Sequence, residues 1–210
     1  MTEMSMNRVI HSAFRRDIDR FENALKAFPA GNSHRAAELW TAWANFDNQL
    51  TEHHTGEHEI AWPTLRTMGV RDELITQWDS EHERLAEALH ATDSAMRTLR
   101  GSPTAANAQA AAEAITMLRT VAAEHLDNEE AELEPFYLAN KNSPELKAMG
   151  RKFGRVSPPV AGTFFAWLAD GATSDEKAAL KQNVPAPVVT IIGGIFGRSY
   201  RRTVAPVWRS

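Results

Sequence analysis

Two residue pairs share one spacing: His53 with Glu57 and His125 with Glu129, each four apart. Positions four apart lie on one face of a helix, so each pair can present an imidazole and a carboxylate to a single point. Around both pairs, apolar residues recur every three to four positions. Leu39, Trp43, Phe46 and Leu50 run into His53 and Glu57, and Leu118 and Ala122 run through His125 and Glu129 to Leu133 and Phe136. His82 interrupts a third stripe of Leu74, Trp78, Leu85 and Leu89, and His11 leads a fourth of Phe14, Ile18, Phe21 and Leu25. Imidazoles and carboxylates that face a core need a hydrogen-bond partner or a metal. Nitrogen and oxygen donors without sulfur suit iron or manganese better than a soft-metal site. Three readings stand at this point: a pair of first-row ions, a single ion such as zinc, or a metal-free buried polar network.

The elements that must position these residues follow from the same periodicity. The first segment ends at Pro29-Ala30-Gly31, the second closes between Pro63 and Gly69, the third fades before Gly101-Ser102-Pro103, and the alanine-rich fourth reaches Phe136. Ser33 is placed to cap the second helix, and Ser102 with Pro103 to open the fourth. Short connections containing Gly or Pro favour antiparallel neighbours. The expected fold is all-α: an antiparallel up-down-up-down four-helix bundle over 1–140, with additional C-terminal helices packed on it. Residues 141–210 hold seven of the eleven glycines and six of the ten prolines, which predicts shorter helices around 158–169, 174–183 and 188–203.

Counting along the helices brings the histidines to one level. His11 lies 17 residues before Phe28 and His53 lies 19 after His34; His82 lies 17 before Leu99 and His125 lies 18 after Asn107. At about 1.5 Å per residue these offsets agree within roughly one turn.

Composition narrows the function. With 210 residues, 43% hydrophobic and 24% charged, the chain can bury a substantial core. A net charge of -4 argues against a nucleic-acid partner, and the absence of cysteine removes thiol nucleophiles, iron–sulfur clusters and thiolate zinc sites. The apolar stretch from Val184 to Phe196 is broken by Pro185 and Pro187 and falls short of the roughly 20 residues of a membrane span. Met1 to Asn7 lacks the apolar centre of a signal peptide. A soluble, cytoplasmic protein with neither a nucleic-acid nor a membrane partner is expected.

The other polar residues read more plainly. His54 and His58 fall off the stripe set by Leu50 and Ile60, which predicts exposed or outer positions. Glu81, Glu83, Glu124 and Glu130 read as a solvated face, although one of them could orient a metal-bound imidazole through its second nitrogen. Tyr137 and the tryptophans read as core, and Arg198, Arg201, Arg202 and Arg209 as a solvated helix face. The Glu-x-x-His pairs of ferritin-like bundles are absent, since Leu50 and Ala122 stand three residues before His53 and His125. H-E-x-x-H is absent as well, which removes the zinc-protease reading.

The pattern resembles the hemerythrin family of HHE cation-binding domains. The matching residues are His11, then His53 to Glu57 with Pro63 six residues on, then His82, then His125 to Glu129 with Pro135 six residues on. The resemblance covers about 1–140. It implies two non-haem iron ions bridged by Glu57 and Glu129, with His11, His53, His82 and His125 as terminal ligands, and manganese or zinc as lesser candidates. One departure stands out. Oxygen-carrying members have a second histidine one turn along the third helix, whereas here Ala86 and Trp78 flank His82 at that spacing. The resemblance then implies an incomplete coordination sphere, to be filled by water, a further carboxylate or a tyrosine. The expected function is a di-iron redox protein that reacts with hydrogen peroxide or dioxygen, with catalase-like peroxide disproportionation. The alternative is non-catalytic binding, sensing or storage of oxygen, nitric oxide or iron.

Overall fold

A computed structural model describes residues 3–185 and 187–209, and every regular element among them is helical. α1 (Met6–Lys26) opens on Ser5, whose hydroxyl accepts the Arg8 N–H. The chain turns through Gly31, at a φ of 85° that only glycine adopts freely, into α2 (Ser33–Gly56). The cap of α2 is Asn32, whose side chain accepts from Arg35, not Ser33. α2 does not stop at Gly56. A π-turn (Glu57–Ala61), marked by the Trp62 N–H bonding back to the Glu57 carbonyl, carries it into α3 (Trp62–Thr67). α4 (Asp72–Gly101) and α5 (Ala105–Asn140) follow, and Thr104 caps α5 where Ser102 was expected. α5 passes through Pro135, which stands on its exposed side.

These long helices pack as a bundle: α1 against α2 and α5, and α4 against α2 and α5. Partner numbers on one helix fall as those on its neighbour rise. Ser5 meets Glu134, Arg15 meets Asp127, and Arg119 meets Asp19 and Glu22. Thr92 bonds the Ala114 carbonyl while Arg84 pairs with Glu124. Trp43 bonds Asp93 while Trp62 bonds Asp79.

Two apolar clusters fill the interior. The larger contains Phe14, Phe21, Trp43, Phe46, Leu85 and Leu118. The smaller, at the other side of the histidine level, is Ala61, Trp62, Leu65, Ile75, Trp78 and Leu133. The C-terminal helices are α6 (Pro144–Phe153), α7 (Pro158–Ala169) and α8 (Ser174–Asn183), then a π-turn (Val188–Ile192), α9 (Gly193–Phe196) and α10 (Arg198–Thr203). α6 is an element the sequence reading did not include, and the expected 188–203 helix is broken at Gly197. α7 and α8 lie on α1. Trp167 is fully buried there, its ring tilted 47° against Phe14 with centroids 5.0 Å apart and its indole N–H on the buried Asp17 at 2.7 Å. Tyr200 is buried too, and its hydroxyl donates to Asp170.

Candidate metal centre

The level predicted from residue counting holds two groups of donors. His11, His53, Glu57 and Glu129 form one; His54, Glu57, His82 and His125 form the other. Within each group the donor atoms lie within 4.8 Å of one another. Glu57 belongs to both. Its Oε1 stands 3.2 Å from His53 Nε2 and its Oε2 stands 3.4 Å from His82 Nε2. Glu129 also reaches both sides, with Oε2 at 3.3 Å from His11 Nε2 and 3.7 Å from His125 Nε2.

Hydrogen bonds satisfy these atoms only in part. Both oxygens of Glu57, Oε2 of Glu129 and Nε2 of His54 are buried without an aligned hydrogen bond, although imidazole nitrogens lie close to the carboxylates. Pairs of Nε2 atoms face each other at 3.2 Å (His11 and His53) and 3.1 Å (His82 and His125). Orphaned buried polar atoms are costly, and lone pairs that converge from several residues fit a cation. The donor set, nitrogen and carboxylate oxygen only, suits first-row ions.

His54 corrects the sequence reading. It is half-buried, not exposed, and its ring stacks on His82 with centroids 4.0 Å apart. The reason is the π-turn. The stripe was continued from Glu57 to Ile60, but the extra residue carries the buried face to Ala61 and Leu65, and Ile60 is only half-buried. Leu50, His54, Glu57, Ala61 and Leu65 then make as good a stripe as Leu50, His53 and Glu57. At about 100° per residue, His53 and His54 flank Glu57 by roughly 40° on one side and 60° on the other. One points toward His11 of α1 and the other toward His82 of α4. On the α4 side the donors thus include His54 of α2 beside His82 of α4.

Two carboxylates behind the imidazoles fix their orientation. Glu130 faces His11 Nδ1 at 3.0 Å and is itself held by Arg15. Glu81, buried at 4% exposure, faces His125 Nδ1 at 3.2 Å and accepts from Gln77 and Asn128. An Nδ1–H given to a carboxylate leaves Nε2 free to coordinate. Neither residue is on a solvated face in the way the sequence reading had it. His58 is exposed and faces Asp79 at 3.4 Å.

Burial dominates the electrostatics. It lowers His54, whose neighbour His82 adds to the effect, and lowers His125; with His125 alongside, it brings His82 down to about 4. His53 is pushed well below its usual value by burial and by His11. Burial and then Glu129 push Glu57 well up. His11 goes the other way: burial opposes its charge, but Glu129 and Glu130 outweigh that and raise it. Burial acts to raise Glu129 as well, yet the adjacent His11 holds it below the usual carboxylate range.

Convergent histidine and glutamate donors, free of sulfur, inside a helical bundle define a cation-binding domain. The chain belongs to the family of hemerythrin HHE cation-binding domains, which it matches over residues 6–137. Comparison with curated proteins and with solved structures gives no match. No helix among the described residues is long and apolar enough to cross a membrane.

Proposed function

We propose that His11, His53, His54, Glu57, His82, His125 and Glu129 hold two iron ions in an up-down-up-down four-helix bundle over 1–140, and that this centre disproportionates hydrogen peroxide (2 H2O2 → O2 + 2 H2O). The observation that carries the reading is Glu57: one buried carboxylate with both oxygens free of hydrogen bonds, each turned to the histidines of a different group. A bridging carboxylate is what a pair of ions needs and a single ion does not. The two irons, when bound, supply a two-electron store that can alternate between oxidation states.

The chain's own residues set the rest. Glu81 and Glu130 hold the tautomers of His125 and His11. Phe14, 5.4 Å from His53 and backed by Trp167, excludes water on one side. That enclosure favours a reactant as small as peroxide or a diatomic gas. The inverse numbering of helix contacts supports the antiparallel bundle, and α7 and α8 on α1 support reading 141–210 as an extension that seals it.

His54 favours a second reading, reversible binding of dioxygen or nitric oxide. Its imidazole supplies the fifth histidine that the third helix lacks, so the two groups carry three imidazoles and two.

Metal content of aerobically purified protein, followed by an oxygen-electrode assay with peroxide, tests both. About two irons per chain with steady oxygen release supports the first reading. Two irons with a reversible optical change and no turnover supports the second. One zinc, or no iron after reconstitution, overturns the dinuclear proposal.

A further inference from the structure

Trp62 stands directly after the π-turn and is fully buried. One side of its ring stacks on His82, with centroids 5.9 Å apart and planes 17° from parallel. It also stacks on Trp78, at 5.4 Å and 30°. Its indole N–H donates to Asp79 Oδ1 at 2.8 Å. Two other tryptophans share the indole–carboxylate bond, Trp43 with Asp93 and Trp167 with Asp17. Their ring contacts, however, are with Phe21 and Phe46, and with Phe14 and Phe164. Trp62 alone among the three stacks on an imidazole of the centre.

Indole is among the most readily oxidised side chains, and the cost of oxidising it is the positive charge left on a buried ring. A carboxylate accepting the N–H stabilises that charge through a charge-assisted hydrogen bond. A second indole stacked alongside lets the charge spread over two rings.

We infer that Trp62 is a redox-active residue: a one-electron donor to the centre through the stacked His82, with Asp79 holding its N–H. The inference rests on the peroxide reading given above. Reduction of one hydrogen peroxide to two waters takes two electrons and two protons. When the metal pair provides only one of those electrons, the Trp62 π-system provides the other and the solvent provides the protons. Trp62 is left as a cation radical with its N–H proton still on the bond to Asp79, and no bond in the indole breaks. The role is a safeguard: a half-reduced peroxide would otherwise leave as hydroxyl radical.

The test is freeze-quench electron paramagnetic resonance of the iron-loaded full chain mixed with peroxide, using protein grown on ring-deuterated tryptophan, with iron content and peroxide consumption measured on the same samples. With the iron poised half-reduced, so that the metal pair has one electron to give, a tryptophan radical is expected on mixing with peroxide and is lost in Trp62→Phe. In Asp79→Asn, which keeps the side-chain shape, its lifetime falls about tenfold, the worth of a hydrogen bond to a charged group. Peptide mass spectrometry of the unsubstituted protein after many turnovers should find oxygenated indole at Trp62, a readout that needs no variant. Peroxide consumption without an organic radical, or a radical on Trp43, Trp167 or Tyr137, overturns the role of Trp62 and leaves the peroxide reading intact. Iron-loaded protein that does not consume peroxide overturns the peroxide reading and this inference with it.

Discussion

On the α4 side of the centre, His54, His82 and His125 come from three helices, and burial holds every one of them below the usual histidine range, for His125 against the opposing pull of Glu129 and Glu81. On the α1 side, His11 is raised and Glu129 lowered, because the two stand 3.3 Å apart as acid and base. The same residue types thus produce two different sites. The first presents three neutral imidazoles beside Glu57, whose carboxyl is raised on both sides alike. The second already has an internal ion pair that an incoming metal must break. The wall differs as well: stacked indoles lie behind His82, a phenylalanine behind His53. Metal affinity depends on deprotonated ligands, so the α4 side should take the first ion and the α1 side the second.

The largest perturbation removes the residue common to both. Glu57→Ala is expected to abolish metal binding on both sides, measured as iron per chain after reconstitution. The metal-free fold should keep or gain thermal stability, since the variant deletes a buried carboxylate that has no hydrogen bond. Next, His54→Ala should halve the bound iron by emptying the α4 side while His11→Ala empties the α1 side. If His54→Ala leaves the iron content unchanged, the place of His54 in the α4 group is wrong and the side closes in some other way. Smaller effects follow from the carboxylates behind the imidazoles. Glu81→Gln and Glu130→Gln should each weaken metal affinity roughly 10- to 100-fold, the first at the α4 side and the second at the α1 side, read by competition with a chelator.

The smallest expected effect is on the metal-free protein and pH. His53, His54, His82 and His125 have folded pKa values below that of an unfolded histidine, so the unfolded chain takes up protons first as pH falls. Their effect is to lose stability from about pH 6.5 down to about 4, the value for His82. His11, raised in the fold, contributes stability below 6.5 that is lost as pH rises through its folded value. Four lowered histidines outweigh Glu57, whose raised value works the other way as pH falls, and the melting temperature should fall on acidification across that window. His11→Ala should alter the profile above about pH 6.5 and not the fall below it, and a melting temperature flat with pH below that value would contradict the burial argument.

Much of the bundle was legible because burial imposes a period. Phe14, Ile18, Phe21, Trp43, Phe46, Leu85 and Leu118 are all buried where the stripes put them, and the polar residues interrupting those stripes meet at one level. What escaped notice did so for identifiable reasons. His54 was missed because an ideal helix was assumed past Glu57, and nothing in the run Glu57-His58-Glu59-Ile60-Ala61 announces a π-turn. Glu81 and Glu130 looked like a solvated face because periodicity places a residue on a helix but does not say which long side chain reaches round it. Asn32 and Thr104 took the caps from Ser33 and Ser102, because neighbouring residues of near-equal capping power are separated only by where the chain turns. α6 carries Leu146, Met149 and Phe153 on one face but buries none of them fully, and so short a stripe among glycines and charges was passed over.

The motif repeats in sequence with one interval, glutamate to proline in six residues, yet the two repeats do not measure the same distance in space. Between Glu129 and Pro135 the helix is regular, whereas between Glu57 and Pro63 it holds the π-turn. The second helix therefore carries a phase error of one residue, confined between the metal ligands and Trp62. Deleting any one residue of 58–61 would return the turn to an ordinary helix and absorb the change on the spot, because a π-turn is the local accommodation of one extra residue. The ligands ahead of the deletion and the indole and the cluster around Leu65 beyond it would all keep their places.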